Sequence, residues 1–161
     1  MQLKISQPLW QAIGLGVLAG MRTASAPAIT SHILSHHHSA NLEKSLLGFM
    51  QSKNVATVLK VLAIGELFVD KLPSTPNRIK PTGVIFRCLA GSLAGASIYK
   101  ASGNNALQGA LLGSAAALGS TFGSYFLRKD TVNKLHAFDP LIGAIEDALV
   151  VGAGVGLNSL M

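Results

Sequence analysis

The sequence predicts an all-α fold: a polytopic transmembrane helical bundle of about five helices, with a broken first helix and the signature of an inverted two-helix repeat. Three observations carry this reading. Segments at about 8–34, 54–72, 83–100, 105–127 and 140–160 are apolar, and each is long enough to cross about 30 Å of hydrocarbon. Arg22, Glu66, Arg87, Glu146 and Asp147 lie inside those segments. An ionisable group there costs about 2.5–3.5 kcal/mol and normally faces a partner, a cavity or a substrate path. Finally, Gly16/Gly20, Gly91/Gly95, Gly109/Gly113, Gly119/Gly123 and Gly152/Gly156 are each spaced by four, which lets helix backbones approach closely.

Composition narrows the class. The chain has 161 residues, 49% hydrophobic and 12% charged, with a mean hydropathy of +0.44; ordinary globular domains carry charge on roughly a quarter of residues. A single integral-membrane domain over 1–161 is expected, with no room for a soluble one. The net charge of +6 does not indicate nucleic acid, because the basic residues are scattered and few aromatics are interleaved to stack bases. Loop lysines facing anionic membrane lipid account for it better. The single cysteine, Cys88, excludes an internal disulfide and reads as a small packing residue. No cofactor signature is present.

The first segment opens with Lys4 and an apolar run ending in Ala24-Ser25-Ala26, which imitates a signal peptide. Pro27 after the cleavage point and Arg22 before it argue for a retained helix. Within Gly20-Met21-Arg22-Thr23-Ala24-Ser25-Ala26-Pro27, the proline removes a backbone hydrogen bond and clashes with the Thr23 carbonyl, predicting a helix break. At membrane depth a break requires protein or a wet cavity to satisfy the freed groups. Thr23 and Ser25 supply hydroxyls, and Arg22 a positive charge.

Leu42, Leu46, Leu47, Phe49 and Met50 then recur among polar residues, predicting an interfacial helix over about 41–52. The second segment carries Glu66 and Asp70 on one helical face, suited to proton relay, cation binding or pairing with Arg22 and Arg87. Residues 72–82 contain three prolines and read as a stiff extended link. In the third segment, Arg87 shares the face of Gly91 and Gly95 and should point into protein. The fourth carries Gly119-Ser120-Thr121 and the fifth Glu146 and Asp147, which face about 100° apart.

Segments one and two, and segments four and five, form pairs with similar motifs on either side of a lone helix. Inverted repeats of this kind place a substrate site near the midplane, although a small apolar alphabet also produces such matches by chance. If all five segments cross, one side receives Lys4, Lys71, Arg78, Lys80, Arg128, Lys129 and Lys134, and the other Lys44, Lys53 and Lys100. That bias puts the N-terminus in the cytoplasm and the C-terminus outside. His32, His36, His37 and His38 form the only metal-like cluster, and solvated loop imidazoles explain it better than a bound ion. No nucleophile–base pair or phosphate loop appears.

Gly-Met-Arg-Thr-Ala-x-Ala-Pro (20–27), Glu-Leu-Phe-Val-Asp-Lys-Leu-Pro (66–73) with Pro-Thr-Gly-Val-Ile-Phe-Arg (81–87), and Asp-Pro-x-x-Gly-Ala-x-Glu-Asp (139–147) resemble motifs of a known family. It comprises small bacterial integral-membrane proteins of domain of unknown function family 4126. The resemblance runs over most of the chain and implies a bacterial inner-membrane location, but no activity. The histidine-rich loop departs from it.

The leading expectation is a small inner-membrane transporter or channel, acting as a homodimer or higher oligomer, for an anionic solute or lipid headgroup. Its expected site is Arg22, Thr23, Ser25, Glu66, Asp70, Arg87, Glu146 and Asp147, with Pro27 breaking the helix. The alternatives are a membrane enzyme acting on a phospholipid or isoprenoid phosphate and a structural subunit whose charges pair internally.

Overall fold

The computed structural model describes residues 7–69 and 80–135 with Ala148, Gly152 and Gly156, and of 67, 69 and 128–135 the backbone alone. Apart from Ala148, Gly152 and Gly156, the fifth segment, with Glu146 and Asp147, lies outside the described residues, as do Asp70 and residues 71–79, which hold most of the proline link. Within the described residues the chain is all-helical. It comprises α1 (Pro8–Met21), α2 (Ser25–His36), α3 (Ala40–Glu43), a 3-10 helix (Leu46–Gln51), α4 (Lys53–Val69), α5 (Pro81–Ala101) and α6 (Ala106–Leu135).

Local chemistry sets the element ends. Prolines open α1 and α5, where the missing N–H is one that no helix could bond and the fixed φ suits the first turn. Between α5 and α6, Gly103 sits at φ +84°, with its N–H on the Lys100 carbonyl and the Asn104 N–H on the Tyr99 carbonyl. Those two bonds close α5, and only glycine takes that backbone geometry without steric cost. Asn105 then caps α6 by accepting from the Leu107 N–H at 2.9 Å.

The first segment is two helices, and they run in opposite directions. Gly16 and Gly91 both abut Gly113, and Gly20 abuts Ala117 and Ser120, so α1 runs parallel to α6. Gly91 against Gly113 and Gly95 against Gly109 make α5 antiparallel to α6. On α2, Ala26 shares a cluster with Ala90 and Ala94, while Leu34 shares one with Ala101; α2 therefore runs parallel to α5. The chain reverses at Arg22–Ala24, and α1 and α2 form a helical hairpin whose two outer ends lie beside the α5–α6 turn.

This corrects the expectation that residues 8–34 cross once. The 14 residues of α1 span only about 21 Å at 1.5 Å per residue. It also places the start of α1 at the opposite end of the bundle from the start of α5. α4 descends antiparallel to α2, pairing Lys60 with His32 and Glu66 with Thr23 and Ala24.

Residues 41–52 do not form one interfacial helix. They fold as α3 and the 3-10 helix, because Leu42 and Met50 are pulled into a fully buried cluster with Leu34 and Ala101, while Leu46 stays 98% exposed. Ser31 Oγ donates to the Met50 carbonyl at 2.8 Å, and Ser39 Oγ to that of Ala101 at 2.8 Å. These bonds close the outer end of the hairpin.

The core is a three-helix contact of α1, α5 and α6 made by glycine. A Cβ on Gly113 would collide with the Gly91 carbonyl, and one on Gly16 would meet the Gly113 carbonyl at 2.5 Å. Three of the five glycine pairs make this contact; added side chains at Gly119, Gly123, Gly152 or Gly156 meet nothing within 4 Å. We expect Gly113→Ala to lower unfolding stability in detergent by about 1–3 kcal/mol through overpacking. Gly65→Ala, with nothing within 4 Å of the added Cβ, should instead raise it by about 0.5–1 kcal/mol. An unchanged melting curve for Gly113→Ala would contradict the packing described.

Candidate functional site at the hairpin tip

Pro27 sits in the first turn of α2, where the absent N–H costs nothing, and the helix stops short of the clash its ring would make at Thr23. Arg22 takes an extended conformation at φ −139°, ψ 113°. The reversal leaves backbone groups of both helices exposed to an otherwise apolar interior, and each described bond satisfies one of them.

On the α1 side, the Leu18 carbonyl accepts from the Arg22 N–H at 2.8 Å. Thr121 Oγ1 donates to the Gly20 carbonyl at 3.2 Å and Ser120 Oγ to that of Val17 at 2.8 Å. Ser25 Oγ donates to the Arg22 carbonyl at 2.7 Å. On the α2 side the donors are satisfied by one group: Glu66 of α4 accepts the Thr23 N–H on Oε1 at 2.8 Å and the Ala24 N–H on Oε2 at 2.7 Å. Such charge-assisted bonds are about twice as strong as neutral ones, and the positive end of the α2 dipole adds to them.

The structure thus brings Arg22, Thr23, Ser25 and Glu66 together at the tip. Thr23 contributes its backbone there, a role its residue type does not signal. Arg22 is 3% exposed and Arg87 7% exposed, and each has an interaction partner. Arg87 shares the inward face of α5 with Ala90, Gly91 and Ala94. It lies one turn before Gly91, the level at which Gly16 packs, while Arg22 lies about a turn and a half beyond Gly16. The two arginines therefore occupy nearly the same depth. That depth is about 9 Å along α5 from Pro81 and about 21 Å from Ala101 at 1.5 Å per residue; the charged layer sits toward one end of α5 rather than at its middle.

Thr121 and Ser120, which hold the α1 end of the break, belong to the Gly-Ser-Thr motif noted at 119–121, yet their role as carbonyl donors needs the parallel pairing of α1 with α6. The histidines lie elsewhere, near the outer end of α2. Lys60 Nζ donates to His32 Nδ1 at 2.9 Å, and His36 Nδ1 donates to the His32 carbonyl at 2.9 Å, so these ring nitrogens are engaged within the protein. Cys88, beside Arg87, is half-buried.

Removing the Glu66 carboxylate strands two backbone donors. Glu66→Ala should lower unfolding stability by about 2–4 kcal/mol. Glu66→Gln, which keeps one acceptor, should lose roughly half as much. Equal stability of wild type and Glu66→Ala would show that the carboxylate does not hold the tip.

Residues 9–156 match the family model described as a domain of unknown function (DUF4126). No curated protein and no solved structure matches the chain. The chain belongs to the DUF4126 family.

Proposed function

We propose that the protein is a multi-pass bacterial inner-membrane transporter or channel that passes a small anionic solute or lipid headgroup, with the hairpin tip as its binding centre. The observation that carries this is a carboxylate seated on two backbone N–H groups at the start of α2, beside a buried arginine. Discontinuous helices whose N-termini face anionic groups are a recurring way to build a transport site. Glu66 is the chain's own anion in such a site. Neutralising it with a proton weakens its hold on the Thr23 and Ala24 N–H groups, and an incoming anion can take the same donors with Arg22 and Arg87 nearby.

A membrane setting is supported by two helices, Pro81–Ala101 and Ala106–Leu127, that are long and apolar enough to cross a bilayer. Leu107, Leu111, Phe122 and Phe126 stand exposed on α6, and Ile85, Phe86 and Leu89 on α5. Large apolar side chains facing outward in rows suit lipid better than water. With α1 and α2 folded back as a hairpin, the start of α1 shares an end of the bundle with Lys44, Lys53 and Lys100, and the other end takes Lys80 at the start of α5 and Arg128, Lys129 and Lys134 of α6. Gly119 and Gly123 remain for contact with another helix in a homo-oligomer.

A second reading has its own support: Glu66 is satisfied within the chain, as in a structural subunit whose polar groups only hold the fold. Flux separates the two. Purified protein in liposomes carrying an internal pH dye is expected to collapse an imposed gradient in the presence of one of chloride, phosphate or a small carboxylate. Arg22→Ala should abolish that response while still inserting. Absence of any anion-dependent response from wild type favours the structural subunit.

A further inference from the structure

Among the described residues, two interior oxygens have no hydrogen-bond partner, and they lie on the two arms of the hairpin. They are Gln11 Oε1 and Thr30 Oγ1, on residues 4% and 0% exposed. Buried polar atoms in native interiors almost always pair with protein or with ordered water, so each orphan calls for an explanation.

Their placement makes the explanation a shared one. Gln11, Leu15, Leu18 and Arg22 follow a four-three-four spacing on one face of α1, and Leu15 and Leu18 belong to the same buried cluster as Ala26 of α2. Thr30 is one turn beyond Ala26 on that same face of α2. Gly16 and Gly91 meet at Gly113, so five residues further out on each helix Gln11 comes level with Ala96. Thr30 lies midway between Ala26, which clusters with Ala90 and Ala94, and Leu34, which clusters with Ala101, and reaches the same level. Neighbouring hydroxyls have no proton left to give either oxygen: Ser97 Oγ donates to the Leu93 carbonyl and Ser31 Oγ to that of Met50.

We propose that the hairpin arms enclose a buried water-binding site between Gln11 and Thr30, separated from the charged tip by the Leu15–Leu18 layer. The ligand must donate to a carboxamide oxygen and bond a hydroxyl in an uncharged apolar setting. Water does both, whereas a cation would need more oxygens and compensating charge. On the transport reading of the preceding subsection, this is a hydrated station between the outer end of the hairpin and the tip. The site itself stands without that reading.

Two measurements on the full-length protein test it. In X-ray radiolytic footprinting, bound water generates hydroxyl radicals in place, so Leu15 should be oxidised well above Leu42, although both are 0% exposed. Thr30→Val keeps the side-chain shape and removes the hydroxyl; it should lower the melting temperature by about 2–4 °C and reduce Leu15 oxidation. In a dry site, removing an unsatisfied hydroxyl would raise the melting temperature. Equal background oxidation of Leu15 and Leu42, or a rise in melting temperature, overturns the proposal. If Thr30→Val does not fold, the footprinting comparison in wild type decides alone.

Discussion

The Glu66 carboxylate on the Thr23 and Ala24 N–H groups is the contact on which the rest of the described structure depends. A chain that reverses inside an apolar bundle leaves helix ends to be satisfied, and a backbone group buried there without a partner costs several kcal/mol. Hydroxyls of Ser25, Ser120 and Thr121 take the carbonyls of α1, and the Thr23 and Ala24 N–H groups are taken together by the two oxygens of one carboxylate on a neighbouring helix. That requirement fixes α4 against α2, and with it the position of every residue from Lys53 to Val69.

Glycine makes the reversal geometrically feasible. Gly16, Gly91 and Gly113 bring three backbones to one point, so α1, α5 and α6 form a rigid post against which α2 leans through Ala26, Ala90 and Ala94. Small side chains keep the hairpin narrow, and the polar residues along it become buried by default. Arg22 and Arg87 lie in that same layer and are buried, with Thr23, Ala24 and Glu66 half-buried beside them. A site that sets backbone N–H donors beside buried arginines offers an anion several positive partners at once, which is the physical basis of the proposed function.

Much of this was legible in the sequence, and the failures share a cause. Proline chemistry placed the break at Thr23, and glycine spacing identified three helix faces that do pack closely. Segment lengths matched α4 and α5 to within a few residues. What periodicity cannot report is direction: a broken apolar run reads the same whether the second half continues or turns back, and Arg22 carries no mark of the reversal. The buried fate of Leu42 and Met50 was hidden for a related reason, since an apolar stripe on a short helix looks alike whether it meets lipid or Leu34. Thr23 was expected to act through its hydroxyl because side chains are what a sequence displays, yet it is the Thr23 backbone that bonds Glu66.

The hairpin itself is open to one direct distance measurement. Spin labels at cysteines replacing Gln7 and His37, in a Cys88→Ser background, would be about 45 Å apart along a continuous helix at 1.5 Å per residue. Pulsed electron resonance on the folded protein should return a main distance well under half of that, because both positions lie beside the α5–α6 turn. A main distance near the continuous-helix value would contradict the reversal at Arg22–Ala24 and, with it, the seat assigned to Glu66.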